Sequence, residues 1–370
     1  MRLVSSKRAL LQSLAAIGLC TGAGHAALLR GALIEPVDAP LRRRAADCGL
    51  LYGTATATYQ IADTTFAEVM AREAGILVPE YELKRGAIEP VPGQYDFANT
   101  DALLAFARAH DMRFRGHTLV WHHSNPDWLD TALASSRDSR LLTDYIAAVV
   151  GHFRGRLHSW DVVNEALSPP DGRSDGLRET AWLKAFGPSY IDEAFRAARG
   201  ADPGALLVYN DWGCEAGGIE NDRFRAVTLD FLERALARGV PIDALGLQGH
   251  LSAFGAQVDQ TRLRGFLGRV EALGLKILVT EHDVDDHGGP SDITVRDRAV
   301  ADASRRFLDV VLDCKATVAV LTWGLSDRFL EPEGQQDRLL RGRPRKLPLD
   351  GALARKPLWH AIAAAFDRNA

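Results

Sequence analysis

The sequence predicts a single-domain (β/α)8 barrel, an α/β fold in which eight parallel strands close into a ring inside a ring of helices. Three observations predict it. Short β-rich apolar runs alternate with segments of helical periodicity, and that alternation implies a parallel sheet. Eight such runs follow one another, the count that closes a barrel. Nearly every run leads into a carboxylate, imidazole, amide or indole, and barrels build their sites at the C-terminal ends of their strands.

LLYGTAT (50–56) opens the barrel. ILVP (76–79) leads into Glu80, with Lys84 one loop step beyond. RFRGHTLV (113–120) carries His117 and ends at Trp121. HSWDVVN (158–164) delivers Asn164 and then Glu165. ALLVYN (205–210) passes through Asn210 and Asp211 to Trp212. DALGLQG (243–249) carries Gln248 and precedes His250. KILVTE (276–281) ends on Glu281, with Asp283 just past it, and VAVLTW (318–323) ends on Trp323. Between them, residues 100–110, 141–153 and 221–238 have the spacing of amphipathic helices, with Asp101 as a start signal and Gly239 as a stop signal. One polar residue after a strand means little. The same kind of residue after seven strands points to a shared mouth.

The N-terminus reads as an address. Arg2, Lys7 and Arg8 precede an apolar run over 10–20 and then small residues, with a candidate cleavage point after Ala26. This is the layout of an export signal, too short to span a bilayer. Its Ser6-Lys7-Arg8 resembles a twin-arginine signal with Lys in place of the first Arg. The expected organisation is an export signal over 1–26, a lead-in over 27–47 and the catalytic barrel over 48–368, in a periplasmic or extracellular protein. The full chain has 370 residues and a net charge of −4. It is long enough to bury a large core unaided, and it lacks the basic footprint of a nucleic-acid binder. No later run is apolar enough for a membrane helix. A monomer without nucleic-acid or membrane partners is expected. Cys48, Cys214 and Cys314 remain after the signal and allow at most one disulfide. The irregular stretch 331–347 carries Arg341, Arg343, Arg345 and Lys346. It reads as a solvated loop, and contact with acidic sugar substituents is the sharper alternative.

Two carboxylates facing each other among indoles suit glycoside hydrolysis: one protonates the leaving oxygen, the other attacks or activates water. The chain has no Gly-rich phosphate loop and no GxSxG elbow. His117, His122 and His123 lack HExxH spacing, and the loop opening at Asp283 has Thr294 where a calcium loop needs Glu. Neither metal nor cofactor is expected.

VPEYELK (78–84), RGHTLVWH (115–122), WDVVNEAL (160–167), YNDW (209–212), LQGHL (247–251), VTEHDV (279–284) and TWGLSDR (322–328) together resemble glycoside hydrolase family 10. Most of that family are endo-1,4-β-xylanases on a (β/α)8 barrel. The resemblance runs in order from about Leu50 to KPLWHAI (356–362). It implies that Glu165 is the general acid/base and Glu281 the nucleophile of a retaining double displacement. It implies that His250, with Asp283 behind it, hydrogen-bonds the nucleophile. Asn164 and Gln248 would hold the 2-hydroxyl side of the reacting sugar. Glu80, Lys84, His117 and Trp121 would form the non-reducing-side wall, Trp323 the floor, and Trp212 an aromatic platform. Asp161 and His158 read as structural. Three departures stand out: Tyr81 replaces the family's usual Asn, Trp212 its usual Tyr, and Phe329-Leu330-Glu331 stands where a second Trp is usual. The leading expectation is a secreted retaining endo-xylanase acting on xylan or xylo-oligosaccharides. A related glycosidase for short or decorated oligosaccharides and a catalytically silent glycan-binding barrel are the alternatives.

Overall fold

The computed structural model describes residues 38–331 and 342–370. The export signal over 1–26 and Arg341 lie outside the described residues. The strands are β1 (Leu51–Thr56), β2 (Ile76–Pro79), β3 (Arg113–Val120), β4 (Ser159–Asn164), β5 (Leu206–Asp211), β6 (Ala244–Leu247), β7 (His250–Ser252), β8 (Lys276–Asp285) and β9 (Thr317–Thr322). Each of β1 to β5 pairs with the next, β6 pairs with β8, and β9 joins β8 back to β1. Every ladder in this ring is parallel. Among the described residues the ring has eight strands, and the barrel is closed.

The strands fall where the apolar runs put them, with one instructive exception. The run over 243–249 does not stay a single strand. It ends at Leu247, turns through Gly249 at φ +79°, and resumes as the short β7. β7 pairs beside the upper half of β8, Leu251 against Val284. That extra partner carries β8 four residues past its expected end, to Asp285. His250 and Asp283 are thereby placed directly opposite each other.

Strands covered on both faces read as near-continuous apolar runs. The inner face packs Ala55, Ile76, Val78, Val208, Ala244, Leu278, Ala319 and Leu321 into the barrel centre. The outer face, with Tyr52, Phe114, Trp160 and Tyr209, packs under the helices. β3 and β4 give the barrel centre no apolar side chain of that inner cluster. Their buried Arg115, His117, Ser159 and Asp161 bring polar groups inside instead. Arg115 donates from Nη2 to Asp161 Oδ1 and from Nε to Ser159 Oγ at 3.4 Å.

The helical segments fall at Ala98–Ala109, Arg140–His152 and Ile219–Ala237. Gly239 closes the last of these with φ +69°, a conformation that costs glycine little. Asp101 does not cap its helix. It lies within the first turn and accepts from His152 Nε2 at 2.9 Å. Part of the expected lead-in, Leu41–Asp47, is a helix with Leu41, Arg44 and Ala45 buried. It packs on β1 and on the last helix, Pro357–Asp367. Cys48, Cys214 and Cys314 are free thiols. Among the described residues no helix is long and apolar enough to cross a membrane.

Candidate active site

Glu165 follows the last residue of β4. Its backbone is at φ +54°, uncommon for a residue with a side chain. Two contacts hold it there: its N–H donates to Asn210 O at 2.9 Å, and Arg178 Nε donates to its carbonyl at 2.9 Å. Its carboxyl accepts at Oε1 from Gln248 Nε2 (2.9 Å) and Asn164 Nδ2 (3.3 Å). It remains partly open to the mouth.

Glu281 lies deeper, 5% exposed, in the middle of β8. Asn210 Nδ2 donates to its Oε1 at 2.8 Å, His250 Nε2 stands 3.4 Å from its Oε2, and His117 Nδ1 stands 3.9 Å from Oε1. Burial pushes this carboxyl upward, but His250, His117 and Asn210 outweigh it and set it below the ordinary Glu value. His250 is caught between two carboxylates, with Asp283 Oδ1 2.8 Å from its Nδ1. Burial opposes its charge, yet Asp283 and Glu281 raise it well above an ordinary histidine. Imidazolium then donates at both nitrogens.

An amide network connects the two carboxyls. Gln248 reaches Glu165 and, at 3.5 Å, Asn164 Oδ1; Asn164 Oδ1 accepts from Asn210 Nδ2 at 2.8 Å; Asn210 also donates to Glu281. Asn210 is fully buried and accepts from Thr280 Oγ1 at 2.7 Å. It has room because position 246 is glycine, where a Cβ would stand 2.3 Å from Asn210 Oδ1. The end of the fifth apolar run and the YNDW context pointed to Asn210 in the sequence, but no role was expected for it.

His117 is fixed from below. Asp161 Oδ2 stands 2.9 Å from its Nδ1, and Asp161 itself is pinned by Arg115. The His117–Thr118 peptide is cis. Lys84 stands over the Trp121 ring at 5.0 Å and the Trp323 ring at 5.7 Å. Burial lowers its ammonium below the ordinary value, against the pull of Glu281, Glu80 and Glu165. Glu80 accepts from Gln60 Nε2 at 3.2 Å, and burial raises its carboxyl despite nearby Lys84. Trp323 meets the His117 ring edge-on at 5.2 Å. The structure therefore brings Glu80, Lys84, His117, Trp121, Asn164, Glu165, Gln248, His250, Glu281, Asp283 and Trp323 to one mouth. Trp212 stands at its edge, 41% exposed and 5.2 Å from Phe224, beside a cavity of about 450 Å³ that it shares with Glu165, Gln248 and His250. Tyr81 is exposed at the rim.

Two features bear on the missing second Trp and on the basic stretch. Phe329 turns away from the mouth, edge-on against Phe66 at 4.8 Å and Tyr59 at 5.9 Å, while Leu330 and Glu331 line a cavity with Trp323 and His250. The basic stretch is only partly a solvated loop where it is described: Glu331, Gly342 and Arg343 are exposed, but Arg345 and Lys346 are half-buried and paired. Arg345 forms two 2.7 Å bonds to Asp297, Arg343 donates to Arg328 O at 2.7 Å, and Lys346 Nζ donates to Asp283 Oδ2 at 2.6 Å. Lys346 had no signal beyond the run of basic residues. His117, Asp161 and Glu281 form the one cluster with metal-ligand proximity among the described residues. Its histidine nitrogen and carboxylates are already joined to one another or to Arg115 and Asn210, so the donor set is spoken for.

Comparison with known proteins gives a consistent picture. The model of glycosyl hydrolase family 10 matches residues 40–365. Endo-1,4-beta-xylanase B of Thermotoga neapolitana is 34% identical over 337 residues, covering 90% of this chain and 93% of that protein. The structure of native xylanase 10B from Thermotoga maritima superposes with a TM-score of 0.78 at 32% identity, covering 89% and 98%. Xylanase 10B from Thermotoga petrophila RKU-1 in complex with xylobiose also gives 0.78, at 31% identity, covering 89% and 97%.

Proposed function

Because the chain belongs to glycosyl hydrolase family 10, we propose that it is an endo-1,4-β-xylanase that cleaves internal bonds of xylan with retention of configuration. Glu281 attacks the anomeric carbon while Glu165 gives its proton to the departing glycosidic oxygen, and that C–O bond breaks. Water then attacks the glycosyl-enzyme, Glu165 takes a proton from it, and Glu281 leaves as carboxylate. The observation that carries this reading is the contrast between the carboxyls. One is buried and held ionised by imidazolium and amide donors, and the other opens to the mouth where a leaving group meets it. Two carboxyls in such different surroundings take two roles. Trp121 and Trp323 offer indole faces to sugar rings, and Lys84 and Glu80 offer partners to hydroxyls. The relatives named for xylanase activity and the xylobiose complex support xylan as substrate.

One observation favours a second reading. With Phe329 turned away, Leu330 and Glu331 line the place where a second indole is usual. Looser binding there favours short or decorated xylo-oligosaccharides over long polymer. We also infer export, which rests on the charged start and apolar run of residues 1–26 alone.

Proton NMR on linear xylan tests the proposal. The wild-type protein is expected to release β-anomeric reducing ends before mutarotation, and Glu281→Ala to release none. α-Anomers appearing first would overturn the double displacement. Release from xylo-oligosaccharides but not from polymer would favour the second reading.

A further inference from the structure

The row of hydrogen bonds behind Glu281 does not stop at Asp283. Asp283 is 4% exposed, and both its oxygens are engaged. Oδ1 faces His250 Nδ1 at 2.8 Å, and Oδ2 accepts from Lys346 Nζ at 2.6 Å. Lys346 reaches it from 63 positions along the chain. Its segment is anchored by other contacts: Val284 N–H donates to Lys346 O at 3.3 Å, Leu347 N–H to Asp327 Oδ1 at 3.0 Å, and Leu349 N–H to Leu325 O at 3.0 Å. Arg345 next to it is tied to Asp297. The backbone therefore delivers the Lys346 ammonium to Asp283, and the ion pair is not what holds the segment.

We propose that Lys346 is a positioning residue for the nucleophile: its ammonium fixes Asp283, which aligns His250 on Glu281, in a row of alternating charge. This rests on the reading of Glu281 as nucleophile. With Lys346 in place, two cations alternate with two carboxylates. Without it, one imidazolium serves two carboxylates, and the surplus negative charge draws a proton into the row as pH falls. A proton on Glu281 removes the nucleophile. Besides His250 from β7, the titratable groups facing Glu281 are His117 from β3 and Lys84 from the loop after β2. Asp283 faces His250 and Lys346; His250 also faces the buried Glu215 from the segment after β5, and Lys346 also faces Glu80 from the end of β2. His282, the next residue on β8, is turned to Gly249 O and Ser304 Oγ, each at 2.8 Å.

The test is the pH dependence of kcat and kcat/KM on xylohexaose for the wild-type protein, Lys346→Met and Lys346→Arg, with thermal melts alongside. In Lys346→Met the acidic limb is expected to move up by about one pH unit, a loss of about tenfold in kcat/KM on the acid side and a smaller loss on the plateau. Lys346→Arg is expected to restore the wild-type limb. Lys346→Gln gives the same reading if the Met variant is too unstable to assay. A wild-type limb in both neutral variants, whatever their Tm, would reduce Lys346 to an anchor and overturn the proposal. A Glu281→Ala variant as active as wild type would instead overturn the nucleophile assignment, and this inference with it.

Discussion

Glu165 and Glu281 begin as the same side chain and are separated by their neighbours. Glu281 meets Asn210, His250 and His117, while the Glu165 carboxyl takes hydrogen bonds from the amides of Gln248 and Asn164. Asp211, one residue past Asn210, shows the opposite limit of what surroundings do to a carboxyl. Burial raises it from 3.8 to about 7, although Tyr209 Oη and the Trp212 N–H donate to it and partly offset the shift. The consequence for stability has a definite sign. In the unfolded chain Asp211 ionises near 3.8; in the folded chain it keeps its proton to about 7. Between those values the folded state binds the extra proton, so stability falls as pH rises through the window and levels off above it. Asp211→Asn does not titrate. The variant is therefore expected to gain on the wild type by roughly 4 kcal/mol between about pH 4 and pH 7, measured by denaturant unfolding at each pH. A constant difference would mean that Asp211 is ionised throughout. Both site carboxylates, His250 and Trp323 were legible because each stands at the end of an apolar run or just past it. Asn210 also ends a run, but its role was not legible, since its donation to Glu281 spans 71 positions.

At the scale of elements, two departures shape the mouth. β3 and β4 put Arg115, His117, Ser159 and Asp161 inside the barrel, and this polar wedge supports His117 under Glu281. Alternation alone did not announce it, because a parallel strand buried on both faces hides which of its residues point inward. The segment after β9 is the second departure. It turns Phe329 into the Phe66 and Tyr59 rings and leaves Leu330 beside Trp323. Leu330→Trp is expected to restore an indole to the cavity that position 330 lines with Trp323 and His250. KM for xylohexaose is expected to fall about two- to tenfold, the worth of one aromatic contact, with kcat changed less. Initial-rate kinetics check this, and an unchanged KM would show that position 330 does not reach the sugar. Gly249 and the pairing of Leu251 with Val284 were not readable from a continuous run of apolar residues.

At the scale of the whole molecule, the barrel is clasped at the seam between its two ends. Leu41–Asp47 and Pro357–Asp367 meet over β1, and the fully buried Glu73 accepts from the Leu41 N–H and Trp359 Nε1, each at 3.0 Å, and from Arg355 at 2.9 Å. Arg44 adds a link to Asp367. A chain beginning at residue 48 loses the burial of Leu41 and Ala45 and one partner of a buried carboxylate. It is expected to be less stable by at least about 3 kcal/mol than a chain beginning at residue 38. Comparative thermal and urea melts measure the difference, and equal stability would make the helix an appendage. The order of strands, the closure of eight of them and the residues that reach the mouth were determined by the sequence itself. Local apolar runs encode burial, and the residue after each run inherits the open end of the barrel. Which of those residues touch was decided only by the tertiary structure. Lys346 on Asp283, Asn210 on Glu281 and Glu73 on Leu41 join positions dozens of residues apart. Charge pairing depends on distances that exist only once the ring has closed, whereas burial is written residue by residue.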